Sequence, residues 1–493
     1  ITGAGNVSVA NTFTFVADET YTGTTTVNGG VLNLGNFGTT GSVAGDVVIG
    51  TGGSGMRFQR SNAYTFGHTV SGNGFLTKGG SGILTLTGAN TYTGSTNILG
   101  GTLKVGAANA LPISTTFRLS PGTTLDVSNS QTIAGFINSF GSSILLATGQ
   151  VLSVNLGSAT AGTNYDGIMS GGGGLRIGSN NGNGQWVTLT GDNTFTGGTT
   201  VDVGGSLDLG TGSATGMIVG NVVDNGALNF QRSTDAQFTG VISGSGSVSL
   251  GANTGAGSTG AVVLTAANTY TGGTQVYQGK LFASNVTGSA TGTGSVTVQT
   301  GGFIGGAGKI AGPLNVSTGG TIAPISDSLA PATLSVGATT FGGGGKFGLG
   351  LINATGVAGT DFGLLSISGS LTITATATSP FDIEVHSLTG TSGQGPLPSF
   401  NTSQSYSWMF VTTTGGIAGF NTAFFTVDTS ALSTVIPGAF SVAQNGNSLL
   451  LQYSPTAVPE PSTWALLAVG LGVVVMVSIR ERKFHRRVSG DLV

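Results

Sequence analysis

The feature that most constrains this chain is a repeat registered on one aromatic residue. Four segments read Thr20-Tyr21-Thr22-Gly23, Thr91-Tyr92-Thr93-Gly94, Thr194-Phe195-Thr196-Gly197 and Thr269-Tyr270-Thr271-Gly272. A threonine follows each aromatic by four positions (Thr25, Thr96, Thr199, Thr274), a β-branched residue by six (Val27, Ile98, Val201, Val276) and a glycine by nine (Gly30, Gly101, Gly204, Gly279). An apolar pair then closes the unit: Leu32 and Leu34, Leu103 and Val105, Leu207 and Leu209, Leu281 and Ala283. A second block precedes the last three copies and ends in Val70-Ser71-Gly72, Met169-Ser170-Gly171 and Ile242-Ser243-Gly244, while Phe-Gln-Arg-Ser recurs at 58–61 and 230–233. The intervals between Tyr21, Tyr92, Phe195 and Tyr270 are long enough for each unit to hold several coils. The middle interval is the longest, so it carries inserted sequence.

Within each unit the period is two. In Leu32-Asn33-Leu34, Leu103-Lys104-Val105 and Leu207-Asp208-Leu209 the apolar residues turn to one face and the polar ones to the other. One such coil cannot bury its inner face, so coils must stack, at ~4.8 Å, with backbone groups paired to the coils above and below. Glycine is 91 of 493 residues and charged residues are 7%. An apolar fraction of 38% and a mean hydropathy of +0.29 argue against disorder, and no Gly-X-Y period supports collagen. The glycines are therefore expected at corners, where a positive φ is needed.

These observations predict an all-β chain: a right-handed parallel β-helix, or β-solenoid, over 1–340. From 341 to 454 glycine thins and strands lengthen, as in Phe381-Asp382-Ile383-Glu384-Val385. This stretch is read as a C-terminal β-rich cap, because an open solenoid end exposes a sheet edge. At about 20–25 residues per coil the rod would be roughly 80–100 Å long. With no cysteine, a disulfide scaffold and thiolate metal sites are excluded.

The C-terminus has a different composition. A linker, 455–463, contains Val458-Pro459-Glu460-Pro461-Ser462-Thr463. An uncharged run follows over 464–479, and then the basic segment Arg480-Glu481-Arg482-Lys483-Phe484-His485-Arg486-Arg487. The run spans ~24 Å as a helix and is expected to be a single short transmembrane helix, with 480–493 as its basic cytoplasmic tail. A third of the Lys and Arg residues sit in 480–487. The remaining chain is mildly acidic, which disfavours nucleic acid as a partner.

The order of these tail elements resembles the PEP-CTERM sorting signal of Gram-negative bacterial surface proteins. That resemblance implies recognition of Pro459, Glu460 and Pro461 by an exosortase in the inner membrane, with Arg480, Arg482, Lys483, Arg486 and Arg487 as the membrane-stop cluster. It also implies a secretory signal; Ile1-Thr2-Gly3-Ala4-Gly5 opens directly into strand-like sequence, so the numbering is expected to start at a mature end or inside a longer precursor. Residues Leu84-Thr85-Leu86-Thr87-Gly88-Ala89-Asn90-Thr91-Tyr92-Thr93-Gly94 resemble the autotransporter-associated β-strand repeat of passenger-type solenoids. The likeness covers roughly 60–285, with a weaker copy at 12–35 that has Glu19 where the others have Asn90, Asn193 and Asn268.

Candidate chemistry is sparse. Tyr92, Phe195 and Tyr270 suggest a sugar platform or a stack in one core or corner position, and registered repeats favour the stack. Arg60 and Arg232 hold matching places and read as solvated or turn-bonding rather than as grips for an acidic polysaccharide. Asp382 and Glu384 share a strand face, the minimum for a carboxylate pair or a calcium site, but no partner acid, Asn-rich loop or Gly-Gly-x-Gly-x-Asp nonapeptide accompanies them, so they read as a solvated strand face. His68 and His386 are isolated, so His-based catalysis has no constellation to join. No catalytic residue, metal site or cofactor is expected. The chain reads as an exported, non-enzymatic structural or adhesive surface rod, with exopolysaccharide or neighbouring solenoids as partners. Two alternatives stand beside it: a filament subunit assembling end to end through sheet edges, and, less favoured, a β-helix lyase or glycosidase.

Overall fold

The computed structural model describes residues 1–113, 115–137, 139–156, 162–178, 186–252, 257–388, 395–433, 436–456 and 461–488, the backbone alone for 461–466 and 481–488. The chain forms a parallel β-solenoid of about 15 turns. Each turn lays one strand on each of three walls: Val222–Asp224, Ala227–Arg232 and Ala236–Phe238, for example, follow one another into three different sheets. Ladder pairing between strands is parallel until the closing hairpin, Ala439–Asn445 with Ser448–Ser454, which lies antiparallel against Tyr406–Thr413.

Alternation drives the burial. Phe381, Ile383 and Val385 are fully buried, whereas Asp382, Glu384 and His386 face outward on the same strand. Such inward residues form one continuous apolar core from Val9 to Tyr453. The four glycines nine positions after the aromatics adopt positive φ (67°, 64°, 76° and 78° at Gly30, Gly101, Gly204 and Gly279). Gly72, Gly171 and Gly244 also have positive φ, and a Cβ on each would lie within 2.2 Å of a carbonyl oxygen in the preceding coil. Only glycine lets the coils approach there.

Coil length is not uniform. In the first coils the register partners step from Val7 to Thr25, then to Val47 and Val70. Near the other end Lys346 pairs with Asp382 and Phe381 with Phe425, steps nearly twice as long. Longer coils mean fewer of them. About 15 turns at ~4.8 Å give a rod of about 70 Å, shorter than uniform coils predict.

Two expectations are corrected. The break at 340/341 has no counterpart in the pairing: the strand Thr339–Phe341 spans it, and parallel coils continue to Phe425–Asp428. Antiparallel closure comes only with the hairpin that follows. The expected transmembrane helix at 464–479 lies within a longer helix, Pro461–Val488, which continues through the basic cluster. Among the described residues no helix is long and apolar enough to cross a membrane. The reason is length and composition: the uncharged run 464–479 covers about 24 Å as a helix, includes Gly470, Gly472 and Ser478, and runs into Arg480, whereas a bilayer core is ~30 Å thick.

Candidate functional site

The registered aromatics are core residues. Tyr92, Phe195 and Tyr270 are 0% exposed and Tyr21 is 1% exposed, so they present no platform to a sugar. Each tyrosine hydroxyl bonds the threonine four positions on, at 2.6 Å in Tyr21–Thr25, Tyr92–Thr96 and Tyr270–Thr274. Burial drives the Tyr92 and Tyr270 hydroxyls far above their ordinary pKa, keeping them neutral hydrogen-bonding groups. They do not form one stripe. Thr91 and Thr93 donate to Val70 and Gly72, so the Tyr92 segment stacks on the wall that holds Thr25–Val27, the strand after Tyr21. The Tyr270 segment stands in the same relation to the strand after Phe195, through Thr269 to Ile242 and Thr271 to Gly244. The interval from Tyr21 to Tyr92, like that from Phe195 to Tyr270, is three coils plus one wall, which rotates each second copy.

The asparagine two residues before the aromatic ties three coils together. Asn90 accepts from the Val70 amide through Oδ1 (2.7 Å) and donates through Nδ2 to Gly88 (3.1 Å) and Ala110 (2.6 Å). Asn193 does the same with Met169, Gly191 and Met217, and Asn268 with Ile242 and Ala290. All three are buried. Their recurrence at a fixed offset was the sequence signal. In the first copy Glu19 holds this place, and its backbone amide donates to the Ser42 carbonyl.

Arg60 and Arg232, each 8% exposed, are inter-coil staples. Arg60 Nη1 meets Asp18 at 2.9 Å and Arg232 Nη1 meets Asp192 at 3.0 Å, spanning 42 and 40 residues. Arg60 also donates to the Thr39 carbonyl, and Arg232 to the Ala214 carbonyl at 2.6 Å. Burial raises the Asp18 pKa, but hydrogen bonds from Ser42, Arg60 and Gly41 outweigh it and hold the carboxyl below its ordinary value. Asp18 and Asp192 each stand three residues before their aromatic, a pairing that the linear pattern did not disclose. Arg232→Met is expected to lower stability by roughly 1–3 kcal/mol, discounted because Asp192 is half in solvent. Faster protease cleavage near 214 would show it; unchanged cleavage and unfolding would mean that the staple is idle.

Outward chemistry concentrates near the C-terminal end of one wall. Glu384 lies in register with Asp428 and Asp382 with Thr426, so a third carboxylate joins the pair from the next coil. Ligand oxygens of Asp382, Glu384 and Asp428 all lie within 4.8 Å of one another, a geometry able to hold a cation. Lys346 from the adjacent strand already supplies positive charge, with Nζ 2.7 Å from Glu384 Oε1. That hydrogen bond raises the Lys346 pKa. Burial raises Asp382, reinforced by the neighbouring carboxylates, while hydrogen bonds from Ser430 lower Asp428. Beside the acids runs a groove of about 350 Å³, lined by Phe303, Ile325, Leu329 and Leu388, with Glu384 and His386 at its polar side. The acid convergence of a glycosidase is thus present in part, but the adjoining groove is apolar. His68 packs its ring 5.6 Å from Phe66 and joins no charged cluster among the described residues.

Of the sorting residues, Pro459 and Glu460 lie outside the described residues. Pro461 opens the C-terminal helix, where its missing amide costs nothing. Arg480 is exposed on that helix, which also contains Arg482, Lys483, Arg486 and Arg487.

Fold and repeat together define a parallel β-solenoid built from passenger-type units and followed by a separate C-terminal helix. Residues 10–34, 76–105, 187–209 and 258–281 match the Passenger-associated-transport-repeat, and 457–483 match the PEP-CTERM protein-sorting motif. The chain is also 31% identical over 188 residues to the Adhesin BmaC autotransporter of Brucella suis biovar 1 (strain 1330). That alignment covers 37% of this chain and 5% of the relative's length. The chain therefore carries autotransporter-associated repeats ahead of a PEP-CTERM tail, which marks an exported, cell-surface β-solenoid. The tail motif implies exosortase-dependent processing.

Proposed function

We infer that the protein is a non-enzymatic structural and adhesive rod, displayed or released at the cell surface after an exosortase removes its tail. The observation that carries this reading is the sorting motif placed directly behind the closing hairpin of a solenoid with one continuous inner core. The hairpin lets the rod stand as a finished body once 457–493 are gone. In this reading Pro459, Glu460 and Pro461 are the recognition element. The short apolar run engages the inner membrane only in transit, held by the basic cluster from Arg480 to Arg487.

Two observations support a role without catalysis. The repeated aromatics and arginines are consumed by inter-coil bonding, and the outward cluster of acids borders an apolar groove rather than a polar cleft. The likeness to the Brucella adhesin supports adhesion as the work of the displayed rod, with exopolysaccharide or neighbouring solenoids as surfaces to hold. Mass spectrometry of the mature C-terminus tests the sorting step. Surface protein is expected to end near 457–463, and Glu460→Ala should leave the tail attached in most molecules. An intact Val493 on surface-displayed wild-type protein would overturn the processing claim.

A further inference from the structure

We propose that the groove beside the acidic trio is a docking site for a basic peptide segment, one presenting a lysine or arginine next to an aliphatic residue. Three features of the groove are independent of one another. The first is its floor. Gly348 and Gly350 lie on the outward face between the buried Phe347, Leu349 and Leu351, and neither has a positive φ. A Cβ at Gly350 would lie 2.7 Å from Leu388 Cδ1, and one at Gly348 would lie 3.1 Å from the Ala323 Cβ. Side chains at these positions would fill the groove, so glycine there serves the space above the sheet rather than a turn.

The second feature is a wall held in an unfavourable conformation. The turn from Ser326 to Ala330 closes on Ser326. Its amide donates to the Ala330 carbonyl, its carbonyl accepts from the Leu329 amide, and its hydroxyl accepts from the Ala330 amide. At the tip Leu329 adopts φ +64° and remains 42% exposed at the groove mouth. Leucine is disfavoured in the left-handed region. An exposed apolar side chain in that conformation is an outlier of the kind that accompanies ligand contact.

The third feature is charge. Asp382, Glu384 and Asp428 face one ammonium, Lys346, which leaves the cluster anionic beside the Glu384 end of the groove. A cation is therefore the complementary head group. The walls choose between kinds of cation. Phe303, Ile325, Leu329 and Leu388 offer no hydrogen-bonding side chain, and the polar side chains of the lining are Thr321, Glu384 and His386. Most hydroxyls of an amino sugar would go unpaired against those apolar walls. A lysine or arginine lays its methylene stem on such a surface and keeps its head at the carboxylates; the remaining volume takes an aliphatic neighbour. The proposal deepens the adhesive reading by naming a partner chemistry, yet it is measured without reference to sorting.

The test uses purified full-length protein and a labelled, amidated peptide, Gly-Ser-Leu-Lys-Leu-Ser-Gly, followed by fluorescence anisotropy. The Leu-Lys-Leu peptide should bind, a Ser-Lys-Ser counterpart at least tenfold more weakly, and a Leu-Glu-Leu counterpart not measurably. Gly348→Leu and the pair Glu384→Gln with Asp428→Asn should each weaken binding at least tenfold. Leu329→Asn separates fold from site, because asparagine tolerates the left-handed region: its thermal stability should hold or rise while affinity falls. Equal binding of Leu-Lys-Leu and Ser-Lys-Ser peptides would reduce the site to unspecific charge attraction and overturn the proposal. So would tighter binding of a glucosamine hexamer, no binding of the Leu-Lys-Leu peptide, or full affinity in Leu329→Asn. Each of these outcomes leaves the C-terminal processing result untouched, so the two readings fail separately.

Discussion

Replacing Asn90 by leucine is expected to destabilise the solenoid by roughly 3–6 kcal/mol, a larger loss than removal of the Arg232 staple. The side chain is buried and makes hydrogen bonds to three successive coils: the Val70 amide, the Gly88 carbonyl and the Ala110 carbonyl. Leucine fills a similar volume, so the loss is polar rather than steric, at about 1–3 kcal/mol for each buried group left without a partner. Asn90→Asp should rescue little, because a carboxylate keeps the acceptor for Val70 but faces two carbonyl oxygens. Asn97, whose side chain points outward to Ser95, is the control, and Asn97→Ala should change stability by no more than about 0.5 kcal/mol. Urea unfolding with hydrogen exchange at the Val70 amide reads the effect. Equal midpoints for Asn90→Leu and Asn97→Ala would refute the clamp.

Asp224→Ile is expected to stabilise the protein by roughly 3 kcal/mol at neutral pH and by almost nothing near pH 3. The strand Val222–Asp224 corresponds in the repeat to Val47–Ile49, so a carboxylate stands where the first copy has Ile49. Glycine makes room in both: a Cβ on Gly74 would meet Ile49 at 2.0 Å, and one on Gly246 would meet the Asp224 carboxylate at 2.4 Å. Asp224 is 0% exposed; Oδ1 accepts from the Gly226 amide at 3.0 Å, and Oδ2 has no partner among the described residues. Burial pushes its pKa up from 3.8 to about 6. Well below its unfolded value of 3.8, near pH 3, the group is protonated both folded and unfolded, and nothing is lost. As pH rises toward the folded pKa the unfolded chain has already released its proton, so stability falls, levelling off above about pH 6. The distance between the two pKa values corresponds to about 3 kcal/mol. The measurement is the unfolding midpoint of wild type and variant at the acidic and neutral ends of that window. A gap of the same size at both ends would rule out titration of Asp224 as the cause.

Both residues show how far the sequence could be read. Asn90 was visible as a recurring letter before the aromatic, and the repeat register marked it as important. Its partners sit in the coils above and below, and had to be seen. Asp224 was hidden for the opposite reason. It breaks the repeat at one position, as does Lys78, which stands where the second copy has Leu250 and whose burial brings its pKa down to about 8. A single charged letter inside an apolar alternation looks like an outward residue until the strand's inward face is known. The C-terminal helix was legible as an apolar run ending in basic residues, but the sequence did not reveal that the helix would persist through the cluster to Val488.

By itself the sequence determined the coil: a period of two for the strand faces, glycine where the corner needs positive φ, and an aromatic, a threonine and an asparagine at fixed offsets. These are local facts, decided within a dozen or so positions by sterics and by the alternation of Cβ directions. Only the tertiary structure decided which outward residues meet. Neighbours on a solenoid wall come from adjacent coils, and their separation along the chain is the coil length, which more than doubles between the step from Val7 to Thr25 and the step from Phe381 to Phe425. Loop insertions alter that length without altering the strands. Asp428 therefore reaches Glu384, Arg232 reaches Asp192 and Lys346 reaches the acids through a register that no local pattern encodes.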